Sequence, residues 1–211
     1  MDTFNEREVT EFNKIRFLDV YMIGHNGFIA GGCFKNIFNN ERIKDIDIFF
    51  ENEVDFTKAV AYYKKNAEYV FSYKNKNTIA YKNKKTNIRI ELVRSEFGTV
   101  KEILSKFDFS ITKFAYFKKE IESDNIGDLL NNEDKSVEYK CMVHNMFFEH
   151  LHMKKLVLNE NILFPVSTFE RSYRYRGYGY GLCRESKGHL LNALKTADIS
   201  NLSNELYFGL D

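Results

Sequence analysis

The feature that most constrains the fold of this chain is a pair of glycines followed, after a short spacer, by two aspartates at alternate positions. The apolar residues 28–30 predict a strand that runs into a tight turn at Gly31 and Gly32. Apolar spacing after the turn predicts a helix, and the alternation around Asp45 and Asp47 puts both carboxylates on one face of a second strand. The pattern therefore predicts a strand, a glycine turn, a helix and a strand with paired carboxylates.

Paired carboxylates on one strand face suit phosphoryl or nucleotidyl transfer. Such reactions need little covalent chemistry from the protein, and their main requirement is neutralisation of phosphate charge. Mg²⁺ binds carboxylate oxygens, and two ions can contact the attacking and leaving oxygens together. Glu91 lies on a later alternating segment and is a candidate third carboxylate. Each acid alone is common on an exposed strand, so the prediction that Asp45, Asp47 and Glu91 bind two Mg²⁺ ions depends on their combined order.

The glycine turn and two nearby lysines predict a phosphate-binding site beside these carboxylates. Gly31 and Gly32 allow the backbone to approach a phosphate closely, and the helix that follows directs backbone N–H groups toward an anion. Lys35 and Lys44 add positive charge. We therefore predict that these four residues contact the phosphates of a nucleotide.

Overall composition sets limits but identifies no partner. Lysine and arginine number 31 against 30 aspartates and glutamates, so the formal net charge of +1 gives no general attraction to nucleic acid. No apolar segment is long enough to span a membrane, and the N-terminus lacks a signal-peptide pattern. Cys33, Cys141 and Cys183 form no Cys-x-x-Cys pair. We predict a cytoplasmic protein with reduced cysteines and no membrane partner.

The remaining periodicity predicts an α+β fold with a catalytic domain over residues 1–140 and a helical domain over residues 141–211. The polar segment 124–137 suggests the boundary. Helices are predicted over residues 8–20, 55–66, 99–106, 142–158, 165–182 and 187–195, and strands over residues 43–50, 69–73, 78–81, 87–93 and 107–117.

Residues 31–47 resemble the head motif of polymerase-beta-type nucleotidyltransferases, in particular the bacterial poly(A) polymerase and CCA-adding branch. Those enzymes carry Gly-Gly-x-x-Arg-Asp, a short helix and then Lys-Asp-hydrophobic-Asp. Lys35 and Asn36 replace the Arg-Asp pair here, which keeps one charge but loses the bidentate guanidinium. Residues 107–116 are similar to the family's Arg-Arg-Asp-Phe-Thr-Ile-Asn segment, and residues 167–178 look like its neck helix.

The resemblance implies a small phage-type member, with a mixed sheet flanked by helices and a small helical C-terminal domain. It also implies that Asp108, Arg171 and Arg174 join the nucleotide-binding residues, with ATP or CTP as the nucleotide. The Glu-Asp-x-x-Arg motif through which CCA-adding members read the incoming base is absent from the sequence. The resemblance therefore implies nucleotide transfer but not faithful CCA synthesis.

The predicted function is magnesium-dependent transfer of a nucleoside monophosphate from a nucleoside triphosphate to a hydroxyl group, with release of pyrophosphate. RNA or tRNA is the predicted acceptor. A lysine-rich stretch with Tyr73, Tyr81 and Arg89 is compatible with RNA binding and equally with solvated hairpin turns. Two alternatives stay open: transfer to a protein or small molecule, and a catalytically inactive nucleotide-binding or RNA-binding module. The sequence does not determine the oligomeric state.

Overall fold

The structure is a computed structural model, and it describes residues 3–120, 137–159 and 162–197. The strands are β1 (Phe4–Glu8), β2 (Phe28–Ala30), β3 (Asp45–Phe50), β4 (Tyr69–Lys74), β5 (Thr78–Asn83), β6 (Arg89–Phe97), β7 (Phe114–Glu120), β8 (Val137–His144), β9 (Lys155–Leu156) and β10 (Gly181–Leu182). The helices are α1 (Cys33–Phe38), α2 (Glu53–Lys65), α3 (Val100–Lys106), α4 (Phe147–His152), α5 (Pro165–Gly177) and α6 (Arg184–Thr196). Two 3₁₀ helices span Val9–Met22 and Ser110–Thr112.

The first eight strands form one mixed sheet in the order β1-β8-β7-β2-β3-β6-β5-β4, and β9 pairs with β10. Strands β3 and β6 are parallel, whereas the other neighbouring pairs of the large sheet are antiparallel. Helices flank this sheet, and α5 and α6 pack together in the C-terminal region. The predicted α+β class, with a mixed sheet flanked by helices, is confirmed.

The two faces of the central strands pack against different helices. Ile46 and Ile48 are fully buried in a core that includes α2, and each such side chain contributes about 1.5–3 kcal/mol when removed from water. Phe49 and Val93 lie on the other face, in a smaller core with α3. Because side chains alternate along a strand, Asp47 points to the α3 face. The sheet therefore holds the carboxylates away from the main core.

A helix covers the segment predicted over residues 8–20, but it is a 3₁₀ helix, and the preceding strand β1 is absent from the predictions. The segment forms a 3₁₀ helix with a break at Phe12, where φ is −132° and ψ is 56°. Three residues per turn place positions 9, 15, 18 and 21 on one side, and these positions are buried, whereas Phe17 is 43% exposed. The apolar spacing therefore follows a period of three rather than 3.6.

The helix predicted over residues 142–158 is wrong except over α4. Strand β8 continues to His144 between β1 and β7, and only the short α4 and β9 follow. Cys141 and Val143 are buried at alternate positions, which is the period of a strand. The proposed domain boundary near residue 140 falls inside β8, so the division into two domains stays a prediction.

Other boundaries differ less from the predictions. Strands β4, β5 and β6 overlap the strands predicted over residues 69–73, 78–81 and 87–93. The helix predicted over residues 165–182 ends at Gly177 and is followed by β10, while the strand predicted over 107–117 begins only at Phe114. Most of the polar segment 124–137 lies outside the described residues. No described helix has both the length and the apolar character needed to cross a bilayer.

Candidate active site

The three predicted metal-binding carboxylates lie on neighbouring parallel strands. In the register of β3 and β6, Asp47 is opposite Glu91 and Asp45 is opposite Arg89. Residues two apart on a strand share a face, so the three acids and the arginine lie side by side on the α3 face. The tertiary structure thus brings together acids that are far apart in the sequence.

Arg89 makes direct contacts with two of these acids. Its Nε donates to Oδ1 of Asp45 at 2.8 Å, and its Nη2 lies 2.6 Å from the same oxygen. Its Nε also lies 3.1 Å from Oε1 of Glu91. Its guanidinium carbon is 5.6 Å from the ring centre of Tyr73. Sequence reasoning places Arg89 and Tyr73 in a candidate RNA-binding stretch and not in the carboxylate site. The position of Arg89, two residues before Glu91 on an alternating strand, is the signal that could have identified it.

The electrostatics of the site favour an added positive charge. Burial, with the charges of Glu91 and Asp45, raises the pKa of Asp47 well above its ordinary value, and Arg89 and Arg174 only partly oppose this. Burial and Asp45 likewise raise the pKa of Glu91, against the hydrogen bond from Tyr73 and the charge of Arg89. Carboxylates held together with incomplete compensation suit a hard divalent cation, so the donor set fits magnesium.

The carboxylates are not already arranged around a common cation position. Within the part of the chain that the structure describes, no group of three His, Cys, Asp or Glu side chains has the arrangement of a metal site. Asp45 and Glu91 instead converge on the guanidinium of Arg89. A metal ion would therefore require a local rearrangement of these side chains.

A cavity of about 410 Å³ opens next to Asp45 and Asp47. Its walls come from the glycine turn, α1, the segment before β3 and the C-terminal half of α5. Its basic lining side chains are Lys35, Arg42, Lys44 and Arg174, and its acidic ones are Glu41, Asp45 and Asp47. Gly32, Tyr175 and Tyr178 also line it. The cavity therefore combines cations that suit phosphate groups with the carboxylates that suit a metal.

The two predicted phosphate-binding lysines have different surroundings. Lys35 is 3% exposed, its Nζ lies 2.7 Å from Oε2 of Glu41, and it is 5.1 Å from the ring centre of Tyr178. Burial alone would raise the pKa of Glu41, but the hydrogen bond and charge of Lys35 lower it overall. Lys44 is exposed, and its carbonyl accepts a hydrogen bond of 2.9 Å from the backbone N–H of Arg89.

The glycine turn depends on a backbone conformation that other residues rarely adopt. Gly31 has a φ of +99°, and its N–H donates to the carbonyl of Phe114 at 3.2 Å. A Cβ on Gly32 would lie 3.4 Å from the Tyr175 hydroxyl, at ordinary contact distance. The conformational requirement for glycine is therefore strongest at Gly31.

We expect Gly31→Ala to lower the free energy of unfolding by about 1–2 kcal/mol, because the left-handed conformation crowds a Cβ. Urea denaturation would measure the change. Gly188→Ala is the matched control, since Gly188 lies inside α6 and a Cβ there has no neighbour within 4 Å. That substitution should stabilise the chain by about 0.5–1 kcal/mol, because alanine favours a helix. The same sign for both substitutions would contradict the argument.

Asp108 and Arg171 contact each other and do not line the cavity. Both are buried, and Nε of Arg171 donates to Oδ2 of Asp108 at 2.6 Å. Burial raises the pKa of Asp108, while the charge of Arg171 acts in the opposite direction. The pair joins the segment before β7 to α5, which carries Arg174 into the cavity one turn later. Among the three predicted contacts from these segments, only Arg174 faces the cavity.

Comparison with models of protein families shows the family of this chain. The family model described as "Gabija anti-defense 2 family protein" matches residues 5–154 of the 211 residues. The chain belongs to the Gabija anti-defense 2 family. The matched segment contains the glycine turn, the three carboxylates and Arg89. It ends before α5, so the family match does not include the helix that carries Arg174.

A curated member of the Gabija anti-defense 2 family, named "Gabija anti-defense 2" from Bacillus phage SPbetaL7, is 23% identical over 162 residues. The match covers 76% of this chain but only 35% of that protein. The chain therefore spans about a third of the length of its curated relative.

Solved structures with a similar fold are CCA-adding enzymes. One, described as a complex with CTP, has a TM-score of 0.62 and 16% identity, and the match covers 95% of this chain and 50% of that chain. The Thermotoga maritima CCA-adding enzyme complexed with tRNA has a TM-score of 0.59 and 17% identity, with 95% and 49% coverage. At this identity the similarity shows that this Gabija anti-defense 2 family member has the nucleotidyltransferase fold.

Proposed function

We propose that this chain is a magnesium-dependent nucleotidyltransferase. It would transfer a nucleoside monophosphate from a nucleoside triphosphate to a hydroxyl group and release pyrophosphate. The observation that carries the proposal is the register that sets Asp47 opposite Glu91, with Asp45 on the same face, beside a basic cavity. This is the combination of carboxylates and phosphate-binding cations that nucleotidyl transfer requires.

Each site residue predicted from the sequence has a part in the proposed reaction. Asp45, Asp47 and Glu91 hold two Mg²⁺ ions, which, when bound, supply the charge that the triphosphate needs. Lys35, Lys44 and Arg174 bind phosphate oxygens, and the backbone at Gly31 and Gly32 lies against the phosphates. Asp108 and Arg171 act on the nucleotide indirectly, because their ion pair positions the helix that carries Arg174.

The chemical step forms one bond and breaks one. The acceptor hydroxyl oxygen attacks the α-phosphorus, and the bond from that phosphorus to the bridging oxygen of pyrophosphate breaks. Glu91 accepts the hydroxyl proton, and its raised pKa makes it a better base than an ordinary glutamate. Residues 1–140, together with the rest of β8, would carry this chemistry, and α5, within residues 141–211, would complete the nucleotide site with Arg174.

The proposed nucleotide is ATP or CTP, and the proposed acceptor is RNA or tRNA. Complexes of CCA-adding enzymes with CTP, ATP and tRNA support this choice through the shared fold. The absent base-reading motif argues against CCA synthesis by this chain. The family name supports a further proposal, that the transferred nucleotide serves a phage against the Gabija defence.

The test is incubation of the purified chain with each of four α-labelled nucleoside triphosphates, Mg²⁺ and a bacterial cell extract. We expect label from ATP or CTP to enter RNA. Label in protein or in small molecules would support the alternative acceptors. The Asp45→Asn/Asp47→Asn variant is the control. Magnesium-dependent triphosphate binding without label above this control would support an inactive binding module and reject transfer.

A further inference from the structure

Arg89 lies where a cation between the carboxylates would be expected. Its guanidinium bridges Asp45 and Glu91 across two parallel strands, through contacts of 2.6, 2.8 and 3.1 Å. Asp47, which faces the cavity, interacts with Arg89 only through its charge. The arginine therefore neutralises Asp45 and Glu91 by direct contact and leaves Asp47 without such a contact.

The guanidinium of Arg89 and a divalent cation cannot both bind the carboxylate oxygens of Asp45 and Glu91. Both would need the lone pairs of Asp45 and Glu91, and two adjacent cations repel each other. The Arg89 side chain is 39% exposed, as is that of Asp45, so the guanidinium can move toward solvent without disturbing the core. Its contact with the Tyr73 ring, at 5.6 Å, is a weak restraint on that movement.

We propose that Arg89 is a built-in counter-cation that holds the carboxylates together in the metal-free protein and leaves them when a divalent cation binds. The inference rests on the proposed function, because it uses the same metal-binding acids. It adds that the chain binds metal less tightly than its carboxylates would allow. The apparent affinity is reduced by the fraction of molecules in which Arg89 occupies Asp45 and Glu91.

The experiment measures binding of Mn²⁺ alone, without nucleotide, by isothermal titration calorimetry. Arg89→Gln retains a side-chain hydrogen-bond donor but removes the charge, and we expect it to lower the Kd for Mn²⁺ about fivefold. Arg89→Ala should have the same direction of effect. Arg94→Gln is the matched control, because Arg94 lies on the same strand and is exposed, and its Kd should equal that of the unmodified chain.

The direction in which the Kd for Mn²⁺ changes distinguishes competition by Arg89 from a structural role of Arg89. If Arg89 positions the acids for the metal, its removal will weaken Mn²⁺ binding, and that result overturns the inference. An unchanged Kd also overturns it. Asp47→Asn shows whether Mn²⁺ binds at this site. It should remove Mn²⁺ binding both in the otherwise unmodified chain and in the Arg89→Gln variant. If no variant binds Mn²⁺ through Asp47, the proposed function fails together with the inference, whereas an unchanged Kd rejects the role of Arg89 alone.

Discussion

Replacing Asp47 by Asn is expected to abolish nucleotide transfer and, at the same time, to raise the melting temperature of the metal-free protein. Transfer falls because the amide cannot supply a charged oxygen to a divalent cation. A metal contributes several kcal/mol to charge stabilisation in the transition state, so the loss should be about 10³-fold or more in kcat.

The gain in stability follows from the raised pKa of Asp47. Burial and two neighbouring carboxylates raise this pKa, so the folded chain binds the proton more tightly than the unfolded chain does. Ionisation of Asp47 therefore destabilises the fold as the pH rises through and above the ordinary aspartate range. At neutral pH in EDTA, an asparagine removes that destabilising charge, and the melting temperature should increase.

Glu51→Gln is the matched control for this substitution. Glu51 is exposed directly after β3, so its amide variant should change neither transfer nor melting temperature appreciably. Steady-state kinetics with Mg²⁺ and a thermal melt in EDTA would measure the two effects. Full transfer by Asp47→Asn would reject the assigned metal site, and a lower melting temperature would reject the account of its electrostatics.

Replacing Arg171 by Ala is expected to cost about 3–5 kcal/mol of unfolding free energy, the second large effect. Asp108 would then stay buried without the guanidinium that now donates to it at 2.6 Å. The desolvation of that carboxylate is the physical cause of the loss. Urea denaturation followed by circular dichroism would measure the change.

Two further variants isolate the cause of the Arg171 effect. Arg176 is an exposed arginine on the same helix, so Arg176→Ala should change stability by no more than about 0.5 kcal/mol. Asp108→Asn combined with Arg171→Ala removes the buried charge and should lose less stability than Arg171→Ala alone. If the single and double variants are equally unstable, the lost packing of the arginine, and not the unpaired carboxylate, explains the effect.

Local patterns in the sequence were sufficient for the central strands. The alternation of aspartate and isoleucine from Asp45 correctly predicts β3. This alternating pattern is visible in consecutive residues, so it needs no knowledge of distant segments. The same reasoning fails at both ends of the helix predicted over residues 142–158, because the segment begins with the end of β8, only α4 is helical, and β9 follows. The burial of Cys141 and Val143 in β8 depends on β7 and β1, the strands on either side of it.

Ion pairs between residues of the predicted site could also not be predicted from the sequence. The resemblance implied that Asp108 and Arg171 contact the nucleotide, whereas in the structure they contact each other. Two charged residues distant in the sequence give no local sign that they form a buried pair. Lys35 was expected to contribute a charge to phosphate, and its surroundings include a direct ion pair with Glu41.

By itself, the sequence determined that a glycine turn precedes two carboxylates on one strand face, since strand periodicity and the backbone freedom of glycine are local properties. Only the tertiary structure decided that Glu91 lies opposite Asp47, and that Arg89 bridges Asp45 and Glu91. Strand register depends on packing between segments far apart in the chain, and a shift by one residue would turn each of these side chains to the other face.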